Sequence, residues 1–176
     1  MHRVGHIVCG LADERAQRDG GERDDRGDEE RHPSARCSSR GRLQSLGLSC
    51  VQFVGAVPHD EVPDYVAAAD VCVAAFASNP VTQCKSPLKL AEYLASGKAV
   101  VASDVGEVRR MVGEAGVMVR PGDAQEMAEE IVRLLRDPEE RQRLGRLARE
   151  RVMAGLTWMH TARRLVEAYE AGRRGR

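Results

Sequence analysis

Four short, unbroken apolar runs separated by helix-length segments constrain this chain more than any other feature. They are Val51-Gln-Phe-Val-Gly, Val71-Cys-Val-Ala-Ala, Ala99-Val-Val-Ala-Ser and Gly116-Val-Met-Val. A strand with one wet face alternates apolar and polar residues, whereas a strand covered on both faces reads as continuous. Helical patterns fill the gaps, at about 60–69, 87–96, 106–114 and 124–136 by apolar spacing. Strand alternating with helix predicts an α/β fold, a Rossmann-like parallel sheet with flanking helices and right-handed crossovers. His6-Ile-Val-Cys is a candidate for one more strand, but four residues carry no periodicity of their own.

The chain closes with helices. Asp123 is placed to cap a helix from Ala124, and Glu126 three residues on would complete a capping box. Met127, Ala128, Ile131, Val132 and Leu135 form its apolar stripe. Asp137-Pro138 stops that helix and opens another, with Leu144, Leu147, Ala148 and Val152 on one face. A last helix carries Trp158, Ala162, Leu165, Val166 and Tyr169. This C-terminal helical segment is expected to pack back on the sheet as core.

The beginning of the chain is different in kind. Between Asp13 and Arg42, 17 of 30 residues are charged, and no branched aliphatic or aromatic side chain occurs. Such a stretch cannot bury enough apolar surface to offset its backbone entropy, so disorder is expected. Over the whole chain Lys plus Arg and Asp plus Glu are both 27, a formal net charge of +0. That balance argues against a nucleic-acid or membrane-surface binder, which carries a basic excess. No apolar run approaches the roughly 18 residues of a transmembrane segment. The five cysteines are odd in number and widely spaced, without a CxxC pair. No disulfide framework or zinc site follows, and a reducing, cytoplasmic location is expected. Only three of the 27 basic residues are Lys, a bias that reads as the habit of a GC-rich coding sequence.

In an open parallel sheet, ligands bind beyond the carboxyl ends of the strands. Three loops lie there: Gly55 to His59, Phe76 to Ser86, and Ser103 to Gly106. In the second, Ser86-Pro87 reads as a helix cap followed by proline in the first turn. The N–H groups of Leu88, Lys89 and Leu90 would then open outward with the positive end of the helix dipole, a natural seat for phosphate. Lys89 adds a mobile positive charge, and Glu92, one turn inward, offers two acceptor oxygens. Diphosphate on the N–H groups and ribose hydroxyls on Glu92 is the nucleotide reading. The plainer reading is a capped surface helix whose Lys and Glu face water. Gly97 is a helix stop, so no glycine-rich phosphate fingerprint is present.

Three stretches decide between these: VQFVGAVPHDEVPDYVAAADVCVAAF, SPLKLAEYLASGKAVVASDVGEVRRMV and GVMVRPGDAQEMAEEIVRLLRDPEERQRLGRLARERV. In order, they resemble the C-terminal, donor-binding domain of GT-B glycosyltransferases, and more narrowly the retaining, nucleotide-sugar-dependent family 4 enzymes of the group 1 type. Thr157-Trp158 fits as well. The resemblance covers 43–171 and implies the C-terminal half of a GT-B fold, with a nucleotide-sugar donor as substrate and no bound metal or other cofactor. By position, Glu92 resembles the carboxylate that holds the donor ribose. Ser86, Leu88, Lys89 and Leu90 resemble the turn that meets the diphosphate, and Val57 and Pro58 the loop against the base. No catalytic residue is assigned; His59 reads as a surface residue at a helix start.

The resemblance also marks departures. Cys84 stands where many members carry the first of two glutamates, which leaves the donor-sugar contact unassigned. An acceptor half is missing, as are the first strand of the donor domain and its basic residues. A strand with Gly-Asp-Gly and a helix should precede Leu43, where the charged segment stands instead. Residues 1–42 are therefore expected to be a disordered or frame-shifted segment, 43–171 the donor-binding domain and 172–176 a tail, with a shifted reading frame or a truncated gene as the cause. The function expected is the nucleotide-sugar-binding half of a transferase with an unknown acceptor. The alternative is a non-catalytic nucleotide-binding relic, or a subunit that needs a separate acceptor domain.

Overall fold

The computed structural model describes residues 7–9, 50–52, 54 and 57–174. The chain divides into two units, residues 1–12 with 60–176, and residues 13–59. The charged segment expected to be disordered lies outside the described residues.

In the first unit, strands β1 (Ile7–Cys9), β2 (Val71–Ala74), β3 (Ala99–Ser103) and β4 (Gly116–Val119) form one sheet in that spatial order. All three pairings are parallel, with Val8 opposite Cys72, Val73 opposite Val101 and Ala102 opposite Met118. Helices α1 (Val62–Ala68), α2 (Pro80–Gln83), α3 (Leu88–Ala95), α4 (Val108–Val112), α5 (Ala124–Arg136), α6 (Pro138–Gly155) and α7 (Trp158–Arg174) complete it. The expected Rossmann-like α/β architecture is the one observed.

The candidate strand at His6-Ile-Val-Cys forms, as Ile7–Cys9, and extends the sheet beside β2. A run of three residues gives too little pattern to be read without its neighbour. Conversely, the Val51–Gly55 run forms no strand at its described residues, and Val51 and Val54 are exposed. Apolar composition alone does not make a strand; a hydrogen-bonding neighbour does.

Burial explains the unbroken runs. Every residue of β2 and β3 is buried. Cys72, Ala74, Val100 and Ala102 face a layer of α3, α4 and α6, where Leu90, Leu94, Val108, Val112 and Ala148 are packed. Val71, Val73, Ala99 and Val101 face the opposite layer, with Leu134 and Leu144 and the half-buried Met127, Ile131 and Leu135. Helix α6 serves both layers, through Leu144 on one side and Ala148 and Val152 on the other. Its arginines also bind the carbonyl ends of three neighbouring helices. Arg141 donates to the Leu134 and Leu135 carbonyls of α5 at 2.6 and 2.7 Å. Arg149 donates to Ala95 of α3 at 2.8 Å, and Arg151 to Met111 of α4 at 2.7 Å. Cations at helix C-termini satisfy orphan carbonyls and meet the negative end of the dipole.

The closing helices depart from expectation in three places. Asp123 caps α5 by accepting from the Glu126 N–H at 2.9 Å, but the Glu126 carboxylate turns to the Arg120 N–H at 2.9 Å, so the box stays open. The buried member of the α5 stripe is Leu134, while Val132 is exposed, because the stripe runs 127, 131, 134 and 135. Helix α7 buries none of its residues. Trp158, Leu165 and Tyr169 are 76%, 71% and 69% exposed, so this stripe does not pack back on the sheet. Its periodicity identified an apolar face but not what covers it. The helix runs to Arg174.

Candidate functional site

The loops after β2 and β3 meet at the carboxyl edge of the sheet. Ser103, the last residue of β3, is 1% exposed, and its Oγ accepts from the Phe76 N–H at 3.1 Å. That bond ties the two strand ends together. Beyond it, Asn79 and Thr82 form a reciprocal capping box around α2. Asn79 Oδ1 accepts from the Thr82 N–H at 2.9 Å, and Thr82 Oγ1 accepts from the Asn79 N–H at 3.0 Å. Gln83 Oε1 then accepts from the Gly106 N–H at 3.1 Å, joining this loop to the one after β3. Gly106 has φ 47 and lies against the Gln83 backbone, where a Cβ would collide with the carbonyl. Glycine is required there twice over, by conformation and by space.

Helix α3 begins on the far side of this loop. Its boundary residue is Pro87, with no side-chain cap. Ser86, expected to cap, is exposed and points its hydroxyl to Met111 Sδ at 3.5 Å. The Leu90 N–H, expected to be open, is closed by the Pro87 carbonyl at 3.0 Å. A proline boundary with ψ 114 turns the chain into a tight first turn, which takes up that donor and leaves no room for an Oγ cap. Leu88 is 55% exposed at the mouth of the helix, and Leu90 is wholly buried in the core. Lys89 is half-buried, with Nζ 4.6 Å from the centroid of the Phe76 ring. Glu92 is half-buried one turn in, and its carboxylate has no hydrogen bond or ion pair among the described residues.

Of the seven residues singled out by sequence, Leu88, Lys89, Leu90 and Glu92 thus share the first turns of α3, and Ser86 directly precedes its boundary residue. Val57 is half-buried and Pro58 exposed, and both belong to the 13–59 unit. At the same sheet edge, Arg109 pairs with Asp104, and Arg120 pairs with Asp123 and Glu126. The hydrogen bond that Arg109 donates to Asp104, together with the charge of that carboxylate, pushes the guanidinium pKa further above its ordinary range. Among the described residues no cluster of three His, Cys, Asp or Glu side chains could hold a metal ion. No helix there is long and apolar enough to cross a membrane.

Sequence reasoning passed over Ser103, Phe76 and the Asn79–Thr82 box. The box was legible, since Asn-Pro-x-Thr combines a favoured cap with proline in the first turn. The Ser103–Phe76 bond was not, because it depends on which strands are neighbours.

Comparison with known proteins agrees with the fold. The family described as "Glycosyl transferases group 1" matches residues 27–137, starting well before the apolar region. Glycogen synthase of Mycobacterium tuberculosis is 30% identical over 130 residues, which cover 73% of this chain and 30% of the relative. The structure of sucrose-phosphate synthase from Thermosynechococcus elongatus superposes with a TM-score of 0.71 at 33% identity, covering 80% of this chain and 35% of that one. HepE of Anabaena, solved in complex with UDP, shares the fold with a TM-score of 0.63 at 22% identity, covering 77% and 36%. The chain spans about a third of the length of these proteins.

Proposed function

The chain belongs to the glycosyl transferases group 1 family, and from that premise we propose that it is the nucleotide-sugar-binding half of an enzyme that moves a sugar from a nucleoside-diphosphate donor to an acceptor. The observation that carries this reading is the first turns of α3. A Leu88 N–H and a Glu92 carboxylate that have no partner among the described residues, with the Lys89 ammonium between them, follow one another along one helix at the ligand-binding edge of the sheet. In this reading the helix mouth and Lys89 take the diphosphate, and Glu92 accepts from the two ribose hydroxyls. As the sugar leaves, negative charge grows on the diphosphate, and fixed dipoles with an adjacent cation stabilise it without any metal. A fold shared with a protein that holds UDP supports the ligand class. Free Cys50, Cys72 and Cys84 suit a reducing cytoplasm.

A panel of UDP, GDP and ADP in thermal-shift and calorimetric titrations tests the proposal. Ligand at 100 times its Kd should stabilise the fold by about 2.7 kcal/mol. If none of the three binds, the nucleotide reading is lost.

One observation favours the second reading, a subunit that works with a separate acceptor domain. Helix α7 carries an apolar stripe that is exposed among the described residues. A face of this kind marks an interaction site in a soluble protein. Transfer by the chain alone would argue against a separate domain; nucleotide binding without turnover would support one.

A further inference from the structure

The loop after β2 contains a residue that no functional assignment has used. Phe76 is half-buried, its N–H is fixed by the hydroxyl of the fully buried Ser103, and the face of its ring meets the Lys89 ammonium. We propose that Phe76 is a positioning residue for the donor diphosphate, holding the Lys89 ammonium at the mouth of α3 through its ring face. This rests on the nucleotide reading above and adds to it the device that orients the cation.

The physical case has three parts. A lysine side chain on a helix surface has several rotatable bonds and large rotamer entropy, so an unrestrained ammonium is a poor partner for a ligand. A ring within about 6 Å of the cation attracts it through the quadrupole and narrows that freedom in advance. The ring is itself restrained, because Ser103 belongs to the buried end of β3 and fixes the backbone at Phe76. Order thus passes from the sheet, through Ser103 and Phe76, to the lysine.

The test is a double-mutant cycle on nucleoside-diphosphate binding by the full chain. Phe76→Leu keeps apolar volume and removes the ring face, and Phe76→Tyr keeps both. Phe76→Leu should weaken UDP, GDP or ADP, whichever binds best, by about two- to fivefold, the range of an exposed cation–π contact. Phe76→Tyr should bind as the wild type does. Binding of the corresponding nucleoside, which lacks phosphate, should change in neither variant. In a Lys89→Ala background, Phe76→Leu should cause no further loss, because the ring acts only through the lysine. Before any ligand is added, the Lys89 Hε resonances should show an upfield ring-current shift that Phe76→Leu abolishes. That measurement stands even if a variant is too unstable for titration. Unchanged diphosphate affinity in Phe76→Leu, additive losses in the cycle, or no ring-current shift in the wild type would overturn the proposal while leaving nucleotide binding intact. Failure of the wild-type chain to bind any nucleoside diphosphate would overturn the nucleotide reading and this role together.

Discussion

Gly145 of α6 rests against the carbonyl oxygen of Gly97, so close that a Cβ at position 145 would overlap it. Gly97 has φ 66 and ends α3, and the two glycines let α6 cross the end of that helix with backbone touching backbone. Two effects of Gly145→Ala oppose each other. Helix propensity favours Ala by about 1 kcal/mol. The overlap is with backbone, which cannot rotate away, and overpacking costs about 1–3 kcal/mol. The steric term wins, and the denaturant midpoint should fall with little change in slope. A midpoint that rises would mean that α6 can shift outward at no cost.

Glu92 and its neighbours on α3 separate ligand binding from stability. Glu92→Gln keeps the shape and removes a carboxylate with no partner among the described residues. Stability should stay within about 0.5 kcal/mol, as for surface substitutions. Nucleoside-diphosphate affinity should fall about tenfold, since hydrogen bonds to charged groups contribute about 1.5–3 kcal/mol. Leu90 and Leu94 are both fully buried, so Leu90→Ala or Leu94→Ala should instead cost about 2–5 kcal/mol of stability. Calorimetric titration beside chemical denaturation separates the two classes. Unaltered ribonucleotide affinity in Glu92→Gln would remove the ribose role.

Cys72 should make the protein sensitive to alkali. Burial pushes its thiol up from 9.0 to about 12, against a smaller lowering by the nearby Lys98 charge. The unfolded chain ionises this thiol above about 9 while the folded chain holds the proton, so the folded state binds more protons and loses stability as pH rises. The loss should run from about pH 9 toward about 12. In Cys72→Ala the decline over that window should be shallower, although the starting stability is lower. In native protein at pH 8, a thiol reagent should label the exposed Cys84 rapidly and Cys72 hardly at all.

The α7 stripe should be dispensable to the isolated chain. Leu165→Glu combined with Tyr169→Glu changes two side chains that are 71% and 69% exposed. Thermal stability should move by less than about 0.5 kcal/mol per site. A large loss would show that the stripe is core after all. If the chain works with a separate acceptor domain, the same pair should abolish their association.

Where a residue's fate depends on burial by both faces of the sheet, the sequence was enough. The runs at 71–74, 99–103 and 116–119 became strands, and α3, α5 and α6 start within a residue or so of their predicted positions. Caps were harder, because a Ser before Pro can turn away, and Ser86 does so toward Met111. Amphipathic spacing showed that α7 has an apolar face but could not name its cover. The arginine excess, read as coding bias, includes Arg141, Arg149 and Arg151, whose partners lie up to 54 residues away in the chain. In the candidate site, the α3 turn was legible because it is local. The Ser103–Phe76–Lys89 arrangement was not, since it needs the strand order that brings residue 76 beside residue 103.

Helix α6 bears on where this domain may be cut. The family match ends at residue 137, one residue before α6 begins. A fragment trimmed to that boundary would lose Leu144 from one face of the sheet and Ala148 and Val152 from the other. Both hydrophobic layers would open at once, and the carbonyl ends of α3, α4 and α5 would lose their guanidinium partners. The helix therefore couples the two halves of the core into a single cooperative unfolding unit, and the minimal autonomous piece of this unit runs at least to the end of α6 at Gly155.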